Sequence, residues 1–194
     1  MKIEFTSTEI AHCLCAADAL DEGSHPEITR RVKHLSERKV LQPLRAIDAR
    51  GTFVFARLEV FRAALACEIM GLGFFAPAID TAFKAASFDH PAGGPVAPSR
   101  LTEAGVLSRG GLRNAIAGIA AGEDWNLHIW RQPPGLLTPE ALRAAYAWAE
   151  VSADDVTALS RASVAEGVRP VRSRAVIALR PIFEPLLSIV GNPE

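Results

Sequence analysis

"ITRRVKHLSERKVLQP", residues 28 to 43, decides how the first half of the chain folds. Ile28, Val32 and Leu35 recur at i, i+4 and i+7, a narrow apolar stripe along one face of a helix. At about 100° per residue, Arg30, Lys33 and His34 fall opposite that stripe, with Arg31 and Arg38 on one flank. Burial of the stripe therefore leaves a basic face in solvent. Just upstream, "SHPE" marks the start: Ser24 can cap, Pro26 suits the first turn and Glu27 can reach back. The helix is expected over about residues 25–39.

Charge is concentrated around this segment. Between Arg30 and Arg62 nine Lys or Arg stand against three Asp or Glu, a local charge of +6 in a chain whose formal charge is −1, so the remainder carries −7. Such asymmetry is a footprint for a polyanionic partner. The competing reading is a solvated helix face, with Arg31 paired to Glu27 and Lys33 to Glu37 at i, i+4, each worth a few tenths of a kcal/mol. Arg57, in the same reading, lays its stem over the core and keeps its head in water.

Working outward, "TSTE" places Glu9 three residues after Thr6, a capping box that starts a first helix carrying Ile10, Cys13, Leu14 and Ala17 on one face. After the basic helix, "LRAI" and "TFVF" flank the turn "DARG", which predicts a two-stranded hairpin with Arg50 at its tip and Arg45 on its first strand. "ARLEVFRAALACEIMGLG" returns to helical spacing through Leu58, Phe61, Leu65, Ile69 and Leu72 and stops at Gly73. A shorter helix from Pro77 to about Ala86 buries Ile79 and Phe83.

Helix, turn, basic helix, basic hairpin, helix is the order of a winged helix-turn-helix. Residues about 6 to 85 resemble the MerR-type DNA-binding domain, through "TSTEIAHCL", "ITRRVKHLSERKVLQP", "DARGTFVF" and "ARLEVFRAALACEIMGLGF" in that order. The turn "ADALDEGSH" is longer than the family norm, His34 and Leu35 replace its usual aromatic pair, and Lys39 stands where a glycine is common. A long dimerisation helix followed by a cysteine-bearing metal loop is absent from the pattern, so a metal sensor is not expected. The resemblance implies a recognition helix at about 25–39 in the major groove and a hairpin wing, 44–55, on the DNA backbone. It also implies a homodimer on two half-sites.

For such a site Thr29, Arg30, Lys33 and His34 are assigned to the groove, with Arg31 and Arg38 there or on the adjacent backbone. Arg45, Arg50 and Arg57 suit phosphates, which set register without carrying sequence information.

"SFDHPAGGPVAPS", residues 87 to 99, holds three prolines and two glycines and reads as a linker. The expected division is thus a winged helix-turn-helix domain over 1–87, a linker at 88–99 and a small α+β module over 100–194, in a chain that is mainly α with small β elements. In the module, "GGLRNAIAGIAAGEDW" predicts a helix through Leu112, Ile116 and Ile119 that stops at Gly122. "WNLHIW" predicts a strand with Trp125, Leu127 and Ile129 on one face and Asn126, His128 and Trp130 on the other. "TPEALRAAYAWAE" reads as a helix capped by Thr138, and "SADDVTALSRAS" as another from Ser152. "RAVIALR" is a strand candidate, expected to pair with the first, and a short helix is expected from Pro181 to about Ile189.

Several functions find no support. "SRGGLRN" lacks the Lys-Ser/Thr of a phosphate loop, and no His-Glu-x-x-His or Gly-x-Ser-x-Gly stretch occurs. Cys13, Cys15 and Cys67 include no C-x-x-C pair, so buried thiols in a reducing cytoplasm are expected rather than a metal site. Neither a secretory signal nor a run of roughly 18 apolar residues is present. A lone strand histidine such as His128 is expected at the surface, partly solvated. Arg169, Arg172, Arg174 and Arg180 form a second basic group that can hold an anionic ligand or extend a DNA path.

The reading is a cytoplasmic, sequence-specific DNA-binding transcriptional regulator, not an enzyme, without cofactor or metal. Its partners are double-stranded DNA, a second copy, and a small-molecule or protein effector at the C-terminal module. One alternative is a protein-interaction module on the same scaffold that docks an acidic partner. A second is a small enzyme using His128, or Asp89 and His90, as acid or base.

Overall fold

A computed structural model of the chain describes residues 3–47, 52–74, 76–86, 111–132, 141–149 and 173–193. They form two compact units. The first joins Met1–Phe75 with Pro181–Glu194, and the second spans Ala76–Arg180. Each is a mixed helix and sheet unit around a three-stranded antiparallel sheet.

The first unit starts with strand β1 (Glu4–Thr6) and helix α1 (Ser7–Ala17). The capping box is formed: the Glu9 N–H donates to Thr6 Oγ1 at 3.3 Å, and the Thr6 N–H donates to Glu9 Oε2 at 2.8 Å. Helix α2 (His25–Glu37) follows a short 3-10 turn, Glu22–Ser24. Here the expected cap is not made. Ser24 lies in helical backbone, its hydroxyl donates to Asp21 Oδ1 at 2.9 Å, and Glu27 turns outward to Arg31. The 3-10 turn is the reason, since Ser24 already belongs to it and cannot take the extended backbone of a cap.

Strands β2 (Pro43–Ala46) and β3 (Phe53–Ala56) make the hairpin, and β1 adds to the other side of β3. Phe5 lies opposite Phe55 in the register, and both are buried. Helix α3 (Arg57–Gly71) has no polar side: Val60, Phe61, Ala63, Ala64, Leu65, Ala66 and Ile69 are all buried. It is the axis of the unit. Helix α6 (Arg180–Val190) packs against it through an edge-to-face contact of Phe61 and Phe183 rings at 5.5 Å. The close of α3 follows expectation. Gly73 has φ +81°, its N–H donates to the Met70 carbonyl at 2.9 Å, and the Phe74 N–H donates to the Ile69 carbonyl at 3.1 Å.

The second unit contains α4 (Ala76–Ala86), α5 (Leu112–Ala120) and strands β4 (Trp125–Gln132), β5 (Ala141–Trp148) and β6 (Ser173–Ala178) in the order β5-β4-β6. Two differences from the sequence reading stand out. Helix α4 groups with this unit, where the Tyr146 hydroxyl donates to the Ala82 carbonyl at 3.3 Å, and the C-terminal helix groups with the first unit. The stretch read as a helix, "ALRAAYAW", is strand β5, paired over its full length with β4. Alanine spacing suits a helix, but Tyr146 and Trp148 at i, i+2 both belong on one sheet face, and burying both outweighs local preference. Strand β6 pairs with β4 as expected, Asn126 opposite Ala178.

The linker 88–99, the hairpin tip with Arg50, and the helix expected from Ser152 lie outside the described residues. Among the described residues no helix is long and apolar enough to cross a membrane.

Candidate nucleic-acid interface

Two of the three stripe residues of α2 are buried, Val32 and Leu35 at 0% and 2% exposure, while Ile28 in the first turn is half-buried. Leu41 seals the exit of the helix. The opposite face therefore points to solvent. Arg30, Lys33, His34, Glu37 and Arg38 are exposed, and Thr29 is half-buried at the edge of the face.

Among the described residues Arg30, Lys33, Arg38 and Lys39 make no ion pair. The expected Lys33–Glu37 pair is not formed. The Arg31–Glu27 pair is, at 2.6 Å. Arg31 is thus partly neutralised, while its neighbours keep their charge available. Arg45 sits on the exposed edge strand β2 and reaches Glu4 Oε2 on β1 at 2.6 Å, across β3. Arg57 departs furthest from expectation. It is half-buried at the start of α3, and its Nη1 donates to the Asn192 carbonyl at 2.6 Å, so it ties the C-terminal segment to the first unit.

Two grooves flank the basic face. One of about 530 Å³ is lined by His25, Thr29, Arg30, Lys33, His34 and Glu37. Another, about 740 Å³, runs between the start of α1, the end of α2 and the hairpin, and is lined by Ser7, Thr8, Lys33, Lys39, Gln42 and Phe53 among others. Lys33 lines both. The sequence reading missed the second groove. Thr6, Ser7 and Thr8 were legible only as a helix start, and the meeting of that start with the hairpin is a tertiary event.

Glu59 holds the hairpin against the helices. Its carboxylate is 4% exposed, accepts from the Gln42 N–H at 2.9 Å and pairs with Arg62 at 2.8 Å. The chain leaving α2 is thereby pinned to α3. Lys39, at that exit, has φ +58°, the left-handed backbone for which glycine is usual.

None of the three cysteines is in a disulfide. Burial pushes Cys67 up to about 11 and raises Cys15, which keeps these two as neutral thiols at pH 7. No group of three metal-ligating side chains occurs among the described residues.

In the second unit His128 is 1% exposed, not solvated as its lone position on a strand suggested. Strand β4 is the middle of the sheet and is covered on both faces, for Leu127 and Trp130 are buried too. Neither ring nitrogen of His128 has a hydrogen-bond partner. Burial, and then the Arg174 charge, lower its pKa to about 4, so the ring is neutral at pH 7. Of the second basic group, Arg180 is engaged with Asp124 at 2.9 Å and the Gly122 carbonyl at 3.2 Å. Arg169 and Arg172, with Asp89 and His90, lie outside the described residues. No known protein family, curated protein or solved structure matches the chain.

Proposed function

We propose that the first unit is a winged helix-turn-helix and that the chain is a sequence-specific, DNA-binding transcriptional regulator. The observation that carries this reading is the α2 face: Arg30, Lys33 and Arg38 are exposed and make no ion pair among the described residues, opposite the buried Val32 and Leu35 and beside the exposed strand β2. A helix so presented fits the major groove, where Arg and Lys donate to base edges. Arg45 and Lys39 suit flanking phosphates, Arg45 by exchanging Glu4 for a phosphate oxygen. Arg57 positions the C-terminal segment instead. The MerR-type resemblance supports a homodimer on two half-sites, with the second unit for dimerisation, partner binding or ligand sensing, in the cytoplasm.

The test is fluorescence anisotropy on labelled duplexes across a salt series. Contacts to about five phosphates make affinity fall roughly two to three orders of magnitude between 50 and 200 mM salt. Charge reversal at Lys33 and Arg38 should abolish binding. Salt-independent binding, or no binding by the native chain, would remove the reading.

A second reading is a protein-docking module for an acidic partner. It draws on Leu44, Ile47 and Phe53, which are 54%, 50% and 39% exposed on the hairpin.

A further inference from the structure

The chemistry of the α2 face is weighted toward charged donors. Its readers are Arg30 and Lys33, which only donate, His34 and Thr29, which can donate or accept, and Glu37, which accepts. Arg31 is held by Glu27 and turned to the flank. The helix contains no Asn or Gln, the side chains that bind adenine bidentately through N6 and N7.

From this set we infer that α2 reads a core of consecutive G·C base pairs, an inference that rests on the DNA-binding reading above. Arg and Lys pair with guanine O6 and N7, and a ring N–H of His34 can donate to the same acceptors. Glu37 points the same way. It is exposed in the middle of a basic face yet makes no ion pair among the described residues, and a phosphate would repel it. Over a base edge its natural partner is the cytosine N4 amine. Thr29, at the rim, offers a methyl group to a flanking thymine.

Spacing sets the length of the core. Arg30 to Glu37 spans seven residues, about 10 Å of helix axis, which covers roughly three base pairs at 3.4 Å each. The half-site core is therefore about three G·C pairs, with cytosine on the contacted strand at the Glu37 end.

The experiment is selection from a random duplex library by the full chain at physiological salt, repeated with Arg30→Gln, Lys33→Ala and Glu37→Gln. Native protein should enrich a motif with adjacent G·C columns. Lys33→Ala should flatten one column by about tenfold. Arg30→Gln should convert one guanine column to adenine, because Gln matches the adenine edge. Glu37→Gln should relax a cytosine column. An enriched motif made of A·T columns, or retention of duplex without preference, would overturn the inference and leave DNA binding in place. Failure to retain any duplex would overturn both.

Discussion

Lys39 and Ala19 hold left-handed backbone, φ +58° and +49°, each just past a helix end. In both cases the following N–H groups close the helix, Val40 on the Leu35 carbonyl and Leu20 on the Cys15 carbonyl, both at 2.9 Å. A side chain is strained there, so Ala19→Gly and Lys39→Gly should each stabilise the protein by about 0.5 to 1 kcal/mol. Thermal unfolding of the two variants reads this directly, and an unchanged or lower midpoint would contradict it. Only Lys39→Gly should also weaken DNA binding. His128 gives a pH dependence. Its folded pKa of about 4 lies below the ordinary value near 6.5, so between those values the unfolded chain takes up a proton that the folded chain does not. Its contribution is fully present above about pH 6.5 and is lost as pH falls through 4. His128→Leu should flatten the urea midpoint across that window relative to the native chain. At this scale the sequence was readable where chemistry is local. The Thr6–Glu9 box needs only four residues, whereas the burial of His128 depends on strands that pair with β4 on both sides.

Elements with strong apolar spacing were legible from the chain: α1, α2, α3, α5 and β4 follow the positions of their buried residues. Strand β5 was not, because "LRAAYA" carries residues that favour helices and only its partner β4 selects the strand. The contact that pins the exit of α2 to α3 was equally hidden. Glu59 and Gln42 are 17 residues apart, and nothing local announces that a buried carboxylate meets the N–H leaving α2. Glu59→Ala strands the Gln42 N–H and removes the carboxylate paired with Arg62. It should cost about 3 kcal/mol in chemical unfolding and loosen the hairpin. DNA affinity should fall although Glu59 touches no DNA. Near-native stability in Glu59→Ala would show that the pin is dispensable. The close approach at Gly118 is another tertiary constraint: a side chain there meets Trp125 Nε1 and the Glu123 carboxylate that both Trp125 and Trp148 donate to. Gly118→Ala should destabilise the second unit, read as loss of Trp fluorescence order on mild heating.

The whole chain forms two compact units and crosses between them twice, after Phe75 and before Pro181. The sequence shows a basic region, and its Pro and Gly content places an expected boundary at 88–99. The actual grouping of α4 and α6 follows from which aromatic rings they cover, Phe61 by Phe183 in one unit and Tyr146 bonded to α4 in the other. The +6 region between Arg30 and Arg62 lies within the first unit, so DNA binding is expected to be a property of that unit's surface. The most direct measurement is capture of sheared genomic DNA from the source organism at physiological salt, by the native protein and by an Arg30→Ala, Lys33→Ala double variant. A sequence-specific regulator should give a few sharply enriched sites with the native chain, with paired half-sites, and lose them in the variant. Flat recovery by the native chain, or sharp sites that survive in the variant, would contradict the DNA-binding reading.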